Sequence, residues 1–223
     1  MTHNTIMKLF AFLLTFLPLI LVSGLAIGSE STIEVPEGYT ISGAMGFKGT
    51  LHGVEVELSG TIEEMYANFT SQYPEVVANA KANANPTAAY LPTSNVGLAQ
   101  LESRNPSPRG DHYCCPINGQ PNWLPAEVAV LVDGINYLNN FQGVCNTGGG
   151  PGNCVRVSCS YSAAIYLCND NEGDLVISCK DVAFYAGQII NYCRVIWGHN
   201  TPMSCGQIFD NANYNVIVHM AGC

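Results

Sequence analysis

Between Cys154 and Cys193 the chain changes its hydrophobic period. Val155 and Val157, then Ala163, Ile165 and Leu167, recur every second residue, the spacing that puts side chains on one face of a strand. Val182, Ala186, Ile189 and Cys193 recur at close to 3.6 residues, which lines one face of a helix. The run Gly148-Gly149-Gly150-Pro151-Gly152 leads into the segment. Asn169, Asp170 and Asn171 mark a turn inside it, where such side chains bond their own backbone. The predicted order is strand, strand, helix.

The same reading extends to both sides. Val54, Val56 and Leu58 alternate with Glu55 and Glu57, a half-exposed strand. Thr61 and Glu64 form a capping box ahead of a short helix whose apolar side is Ile62, Met65, Tyr66 and Phe69. Pro125 opens a helix predicted over 125–141, with Val128, Leu131, Val132, Ile135 and Leu138 on one face. Gly134 weakens it by about 1 kcal/mol relative to Ala. A last strand covers Tyr214 to Met220, with Val216 and Val218 alternating against Asn215, Ile217 and His219. The fold class is α+β: a disulfide-rich α/β-sandwich, its antiparallel sheet carrying two helices on one face.

Cysteine usage divides the chain. Cys114, Cys115, Cys145, Cys154, Cys159, Cys168, Cys179, Cys193, Cys205 and Cys223 are all of the ten cysteines, and none precedes residue 114. Residues 1–28 have Lys8, an apolar run from Leu9 to Val22, then Ser23, Gly24, Ala26 and Gly28. That is the three-part form of a secretory signal peptide. The run is short for a membrane span and Pro18 interrupts it, so no transmembrane anchor is expected. An even cysteine count behind such a segment predicts five disulfides in a secreted, extracellular protein. The spacing lacks the close cysteine–histidine pairs of a zinc site, and no metal or cofactor is expected. Connectivity stays open.

Residues 29–104 are acidic and cysteine-free, a small β-plus-helix region that would be marginal alone. Asn68-Phe69-Thr70 is a glycosylation sequon. Lys81 to Pro92 is rich in Ala and Asn and has the composition of a linker; Ser103 to Pro108 is proline- and serine-rich. Leu101-Glu102-Ser103-Arg104 resembles the L-x-x-R site used by fungal Golgi processing proteases, which makes 29–104 an expected propeptide released by cleavage after Arg104. Arg109 is the second choice of cut.

The 105–223 region sets Arg109, Arg156, Lys180 and Arg194 against eight carboxylates, and the whole chain carries −9. That balance disfavours binding to nucleic-acid phosphates or anionic membranes. His112, His199 and His219 with Asp133, Asp170, Asp174 and Asp210 are the available acid–base groups. No nucleophile-elbow, zincin or P-loop motif organises them. His219 is expected on an exposed strand face, and Trp123 and Trp197 as packed aromatics.

One resemblance covers Asp111 to Cys223. Cys114-Cys115 precede a helix and a Gly-containing loop, and Arg156-Val157-Ser158-Cys159 precedes a strand. A helix bracketed by Cys179 and Cys193, the pair Cys205-Gly206 and an Asn215–Val218 strand before Cys223 complete the order. This resembles the killer-toxin-like small secreted proteins of fungi, typified by the virally encoded toxins of smut fungi. That group includes antifungal toxins acting on calcium uptake and plant-pathogen effectors. Unlike the typifying toxin, which is basic, this region is acidic. The resemblance implies a role for a basic residue near the central strand cysteine, matched here by Arg156. With Val155 and Val157 facing the core, Arg156 should face solvent. The expected protein is a monomeric toxin or virulence effector that binds a host or competitor cell-surface component without catalysis. The alternative is a cell-wall-directed hydrolase or carbohydrate-binding protein, which needs aromatic rings aligned on an exposed face or two carboxylates in a cleft.

Overall fold

The computed structural model of the chain describes residues 38–83, 106–118 and 122–223. The 1–28 segment and Arg104 lie outside them, as does most of the 81–92 linker. The described residues form thirteen strands and four helices, a mixed α+β fold.

Six strands make the largest sheet. They are β1 (Thr40–Ile41), β4 (Pro108–Cys114), β7 (Asn153–Ser160), β8 (Ala163–Asn169), β12 (Gly206–Asp210) and β13 (Tyr214–Met220), in the order β1-β7-β8-β13-β12-β4. All its pairs are antiparallel except β1–β7. The predicted antiparallel sheet thus carries one parallel pair at its edge, added by two residues of the cysteine-free segment. A second sheet runs β3-β2-β6-β9, built from β2 (Gly46–Leu51), β3 (Val54–Ser59), β6 (Gln142–Thr147) and β9 (Leu175–Ser178). The third is a ribbon, β10 (Arg194–Trp197), β11 (Thr201–Ser204) and β5 (Ala126–Glu127), in the order β10-β11-β5.

Helices α1 (Ile62–Gln72), α2 (Pro74–Asn83), α3 (Val128–Asn140) and α4 (Cys179–Tyr192) supply the rest. The Thr61–Glu64 capping box closes in both directions, at 2.8 and 3.3 Å, as the sequence pattern requires. The α3 helix starts three residues later than predicted, because Ala126 and Glu127 pair with β11 instead. Gly134 has a packing reason. A Cβ there would fall 2.5 Å from the Ser158 hydroxyl and 3.3 Å from Ile165, so glycine lets α3 lie close to β7 and β8.

Helices α3 and α4 pack on each other and against one face of the six-stranded sheet. Val155 and Val157 of β7, Ile165 and Leu167 of β8, and Val216 and Val218 of β13 meet Leu131, Leu138, Val182, Ala186 and Ile189 there. The acidic N-terminal segment shares this core, contributing Met45, Phe47, Leu51, Ile62, Met65, Phe69 and Val77. Phe47 meets Phe141 edge-on at 4.7 Å. The described residues accordingly form one compact unit.

The sheet's other face is also covered. Trp123, Cys154, Ala164, Tyr166, Cys168, Cys205 and Ile217 form a second cluster, over which Tyr39, Ile41 and Ile117 pack. Every residue of β8 is therefore buried. Disulfides tie the layers: Cys114–Cys193, Cys115–Cys205, Cys145–Cys179, Cys154–Cys168 and Cys159–Cys223, leaving no cysteine free. Among the described residues no helix is long and apolar enough to cross a membrane.

Candidate functional site

The region most unlike a folded interior is the β10–β11 ribbon. Its register pairs Val195 with Met203, Ile196 with Pro202 and Trp197 with Thr201. The third strand, β5, touches only Met203 and Ser204, so the Ile196–Pro202 end projects as two strands. Gly198 and Asn200 take positive φ at the turn, and the Asn200 N–H donates to the Gly198 carbonyl at 2.8 Å. Glycine and asparagine tolerate that conformation best.

Strand alternation places Val195 and Trp197 on one side of the ribbon and Ile196 on the other. All three are exposed, at 43, 53 and 60 %. Tyr192, the last residue of α4, is exposed just before the ribbon and stacks on His112 of β4 at 4.5 Å. The placement of Trp197 corrects its expected packing: it is about half exposed, at the turn end of an edge strand. Trp123, by contrast, is buried. The sequence did carry a signal here. A β-prone Val-Ile-Trp run precedes Gly198 and Asn200, a hairpin pattern that was masked by the two cysteines around it.

Arg156 is not the solvent-facing residue that alternation predicted. It is half-buried, with Nε and Nη2 enclosed beside the Tyr166 hydroxyl and without a well-formed hydrogen bond among the described residues. Its guanidinium lies 5.9 Å from the centre of the buried Tyr166 ring. Burial pushes the Tyr166 hydroxyl pKa up, and the adjacent Arg156 charge pulls it back part of the way. His219, expected on an exposed face, is buried between Trp123 and Tyr166, at 4.9 and 5.2 Å. Its Nδ1 lies 2.6 Å from the Met220 carbonyl. Both corrections have one cause: period-two alternation tells which residues share a face, not whether that face is wet.

The remaining predicted groups are dispersed. Asp210 is buried and accepts hydrogen bonds from the Tyr185 hydroxyl, the Ser107 N–H at 2.8 Å and the Ala212 N–H at 2.6 Å. Asp170 accepts from Asn215 at 2.9 Å. His112, His199 and His219 stand on β4, the ribbon turn and β13. Among the described residues no group of three or more His, Cys, Asp and Glu is placed to hold a metal ion.

An open groove of about 590 Å³ runs between β3 and α1. Two carboxylates line it, but each already has a partner. Glu57 pairs with Lys48 at 3.9 Å, and Glu55 accepts from Thr50 at 2.5 Å. Asn68, the sequon residue, is exposed at the same groove and accepts from Gln72 at 2.6 Å. Comparison of the chain with protein-family models, curated proteins and solved structures finds no match.

Proposed function

We propose that the protein is secreted and acts by binding, as a disulfide-stapled toxin or effector that engages a component of a host or competitor cell surface without catalysis. One observation carries this reading. Tyr192, Val195, Ile196 and Trp197 stand exposed together around a projecting ribbon, although burying each large apolar side chain would contribute about 1.5–3 kcal/mol. Exposed apolar groups concentrated in one place mark contact sites. The disulfide network suits an extracellular setting, and processing after Arg104 belongs to the same proposal. A second reading, binding to cell-wall polysaccharide, draws on the exposed Trp197 and Tyr192 rings.

The test uses fluorescently labelled protein on intact plant and fungal cells. Saturable binding that Ile196→Asp abolishes supports the reading. Binding indifferent to Ile196→Asp and Trp197→Ala moves the contact elsewhere. Retention on insoluble wall polysaccharide, lost in Trp197→Ala, favours the second reading.

A further inference from the structure

We propose that the β10–β11 ribbon inserts end-on into the interface of a zwitterionic lipid bilayer; this rests on the binding reading above and names its partner. The first argument is geometric. A ribbon that lies on a protein surface needs one apolar face. Here Val195 and Trp197 stand on one side and Ile196 on the other, all three exposed. Apolar groups on both faces of a projecting end suit immersion in an apolar medium. Four β10 residues rise about 13 Å, against the roughly 5–10 Å that interfacial elements penetrate. Trp197 stands beside the turn, and tryptophan's apolar ring with a polar N–H favours the headgroup level.

The second argument is charge. The chain carries −9, yet no Asp or Glu occurs between Asp181 and Asp210. The ionisable groups of the ribbon and its turn are Arg194 at the root and His199 at the tip. Glu127 sits at the root, opposite Met203. An acidic protein with a carboxylate-free finger is repelled by anionic headgroups and tolerated by zwitterionic ones. The outer edge of β10 has no strand partner among the described residues, which limits entry to the hydrated interface.

Trp123 is buried and Trp197 exposed, so a change in emission on adding lipid reports the ribbon. Pure phosphatidylcholine vesicles are expected to blue-shift the emission of the full-length secreted protein and to sediment it. Trp197→Phe should lose the shift while still sedimenting. Ile196→Asp should lower the partition coefficient about tenfold or more, with an unchanged melting curve. Added phosphatidylserine should weaken binding at low salt. No partitioning, alongside cell binding that still depends on Ile196, overturns the lipid proposal and leaves the binding reading intact. Loss of both removes both. Stronger binding to phosphatidylserine vesicles, or a dimer that Ile196→Asp dissociates and lipid does not affect, also overturns it.

Discussion

Glu63 of α1 accepts a hydrogen bond from the Ser158 hydroxyl at 2.5 Å and from the Cys159 N–H at 3.2 Å. Ser158 lies where the register of β7 against β8 shifts, so the ladder leaves backbone groups there to be satisfied from outside. A side chain from the cysteine-free segment does this for the central cysteine block. Glu63→Ala is expected to destabilise the fold by about 1–3 kcal/mol, measured by denaturant unfolding. Glu57→Ala, which removes an exposed ion pair, should change it by less than about 1 kcal/mol.

Shared packing bears on processing. Seven buried apolar side chains of residues 45–77 belong to the common core, and no cysteine lies in that segment. A cut after Arg104 should therefore give two chains that co-elute on native gel filtration and separate in denaturant without reductant. Release of the first chain under native conditions would show that the core contacts do not hold it. A cut after Arg109 is disfavoured, because Arg109 lies in β4 and its guanidinium donates to Asn213.

Arg156 encloses Nε and Nη2 beside the Tyr166 hydroxyl, without a well-formed hydrogen bond among the described residues. Enclosing an unpaired polar group costs stability, and an apolar residue of similar length removes that cost. Arg156→Met should thus raise unfolding stability by about 1 kcal/mol. A loss of that size would show that the guanidinium is paired in solution.

The β7–β8 turn holds Tyr161 and Ser162 at φ of 44° and 61°. Two-residue hairpin turns of this hand favour Asn-Gly, and the left-handed region costs other residues about 1–2 kcal/mol. Replacing Tyr161-Ser162 with Asn-Gly should raise the melting temperature by several degrees. Tyr161 is almost fully exposed, so the replacement removes little packing.

Tyr39, Tyr185 and Tyr214 have hydroxyl pKa values raised well above the ordinary 10.0, first by burial. For Tyr39 the next cause is Asp170, for Tyr185 the Asp210 hydrogen bond and for Tyr214 the Asp210 charge. The unfolded chain releases these protons near 10.0 while the folded chain retains them. Their contribution is complete below that pH and is lost as pH rises from there toward the folded values. Each should remove about 1.4 kcal/mol per pH unit in that window. Tyrosinate absorbance that rises only as the protein unfolds would be the signature.

Sequence pattern recovers the elements whose period is long enough to see. The strands through Ile165 and Val216, the helix from Cys179 and the Thr61–Glu64 cap all follow from spacing and capping chemistry. Three features do not. Two residues of β1 are too few to show a period, and their parallel pairing with Asn153 and Cys154 depends on a partner over a hundred residues away. The burial of His219 depends on Trp123, whose segment gives no periodic signal. The exposure of Trp197 follows from β5 ending at Glu127, opposite Met203, a matter of strand length rather than composition.

The last strand among the described residues occupies the middle of the largest sheet. β13 lies between β8 and β12, and Cys159 finds its partner only beyond it, at Cys223. The β2–β3 hairpin leaves the ribosome early, and its sheet partner β6 follows about ninety residues later. Chains are made from the N-terminus forward, at roughly 5–20 residues per second. The apolar strands therefore spend seconds without their neighbours, and such long-range pairing is slow to form. The large sheet therefore closes only once β13 is available, in whatever compartment that strand reaches.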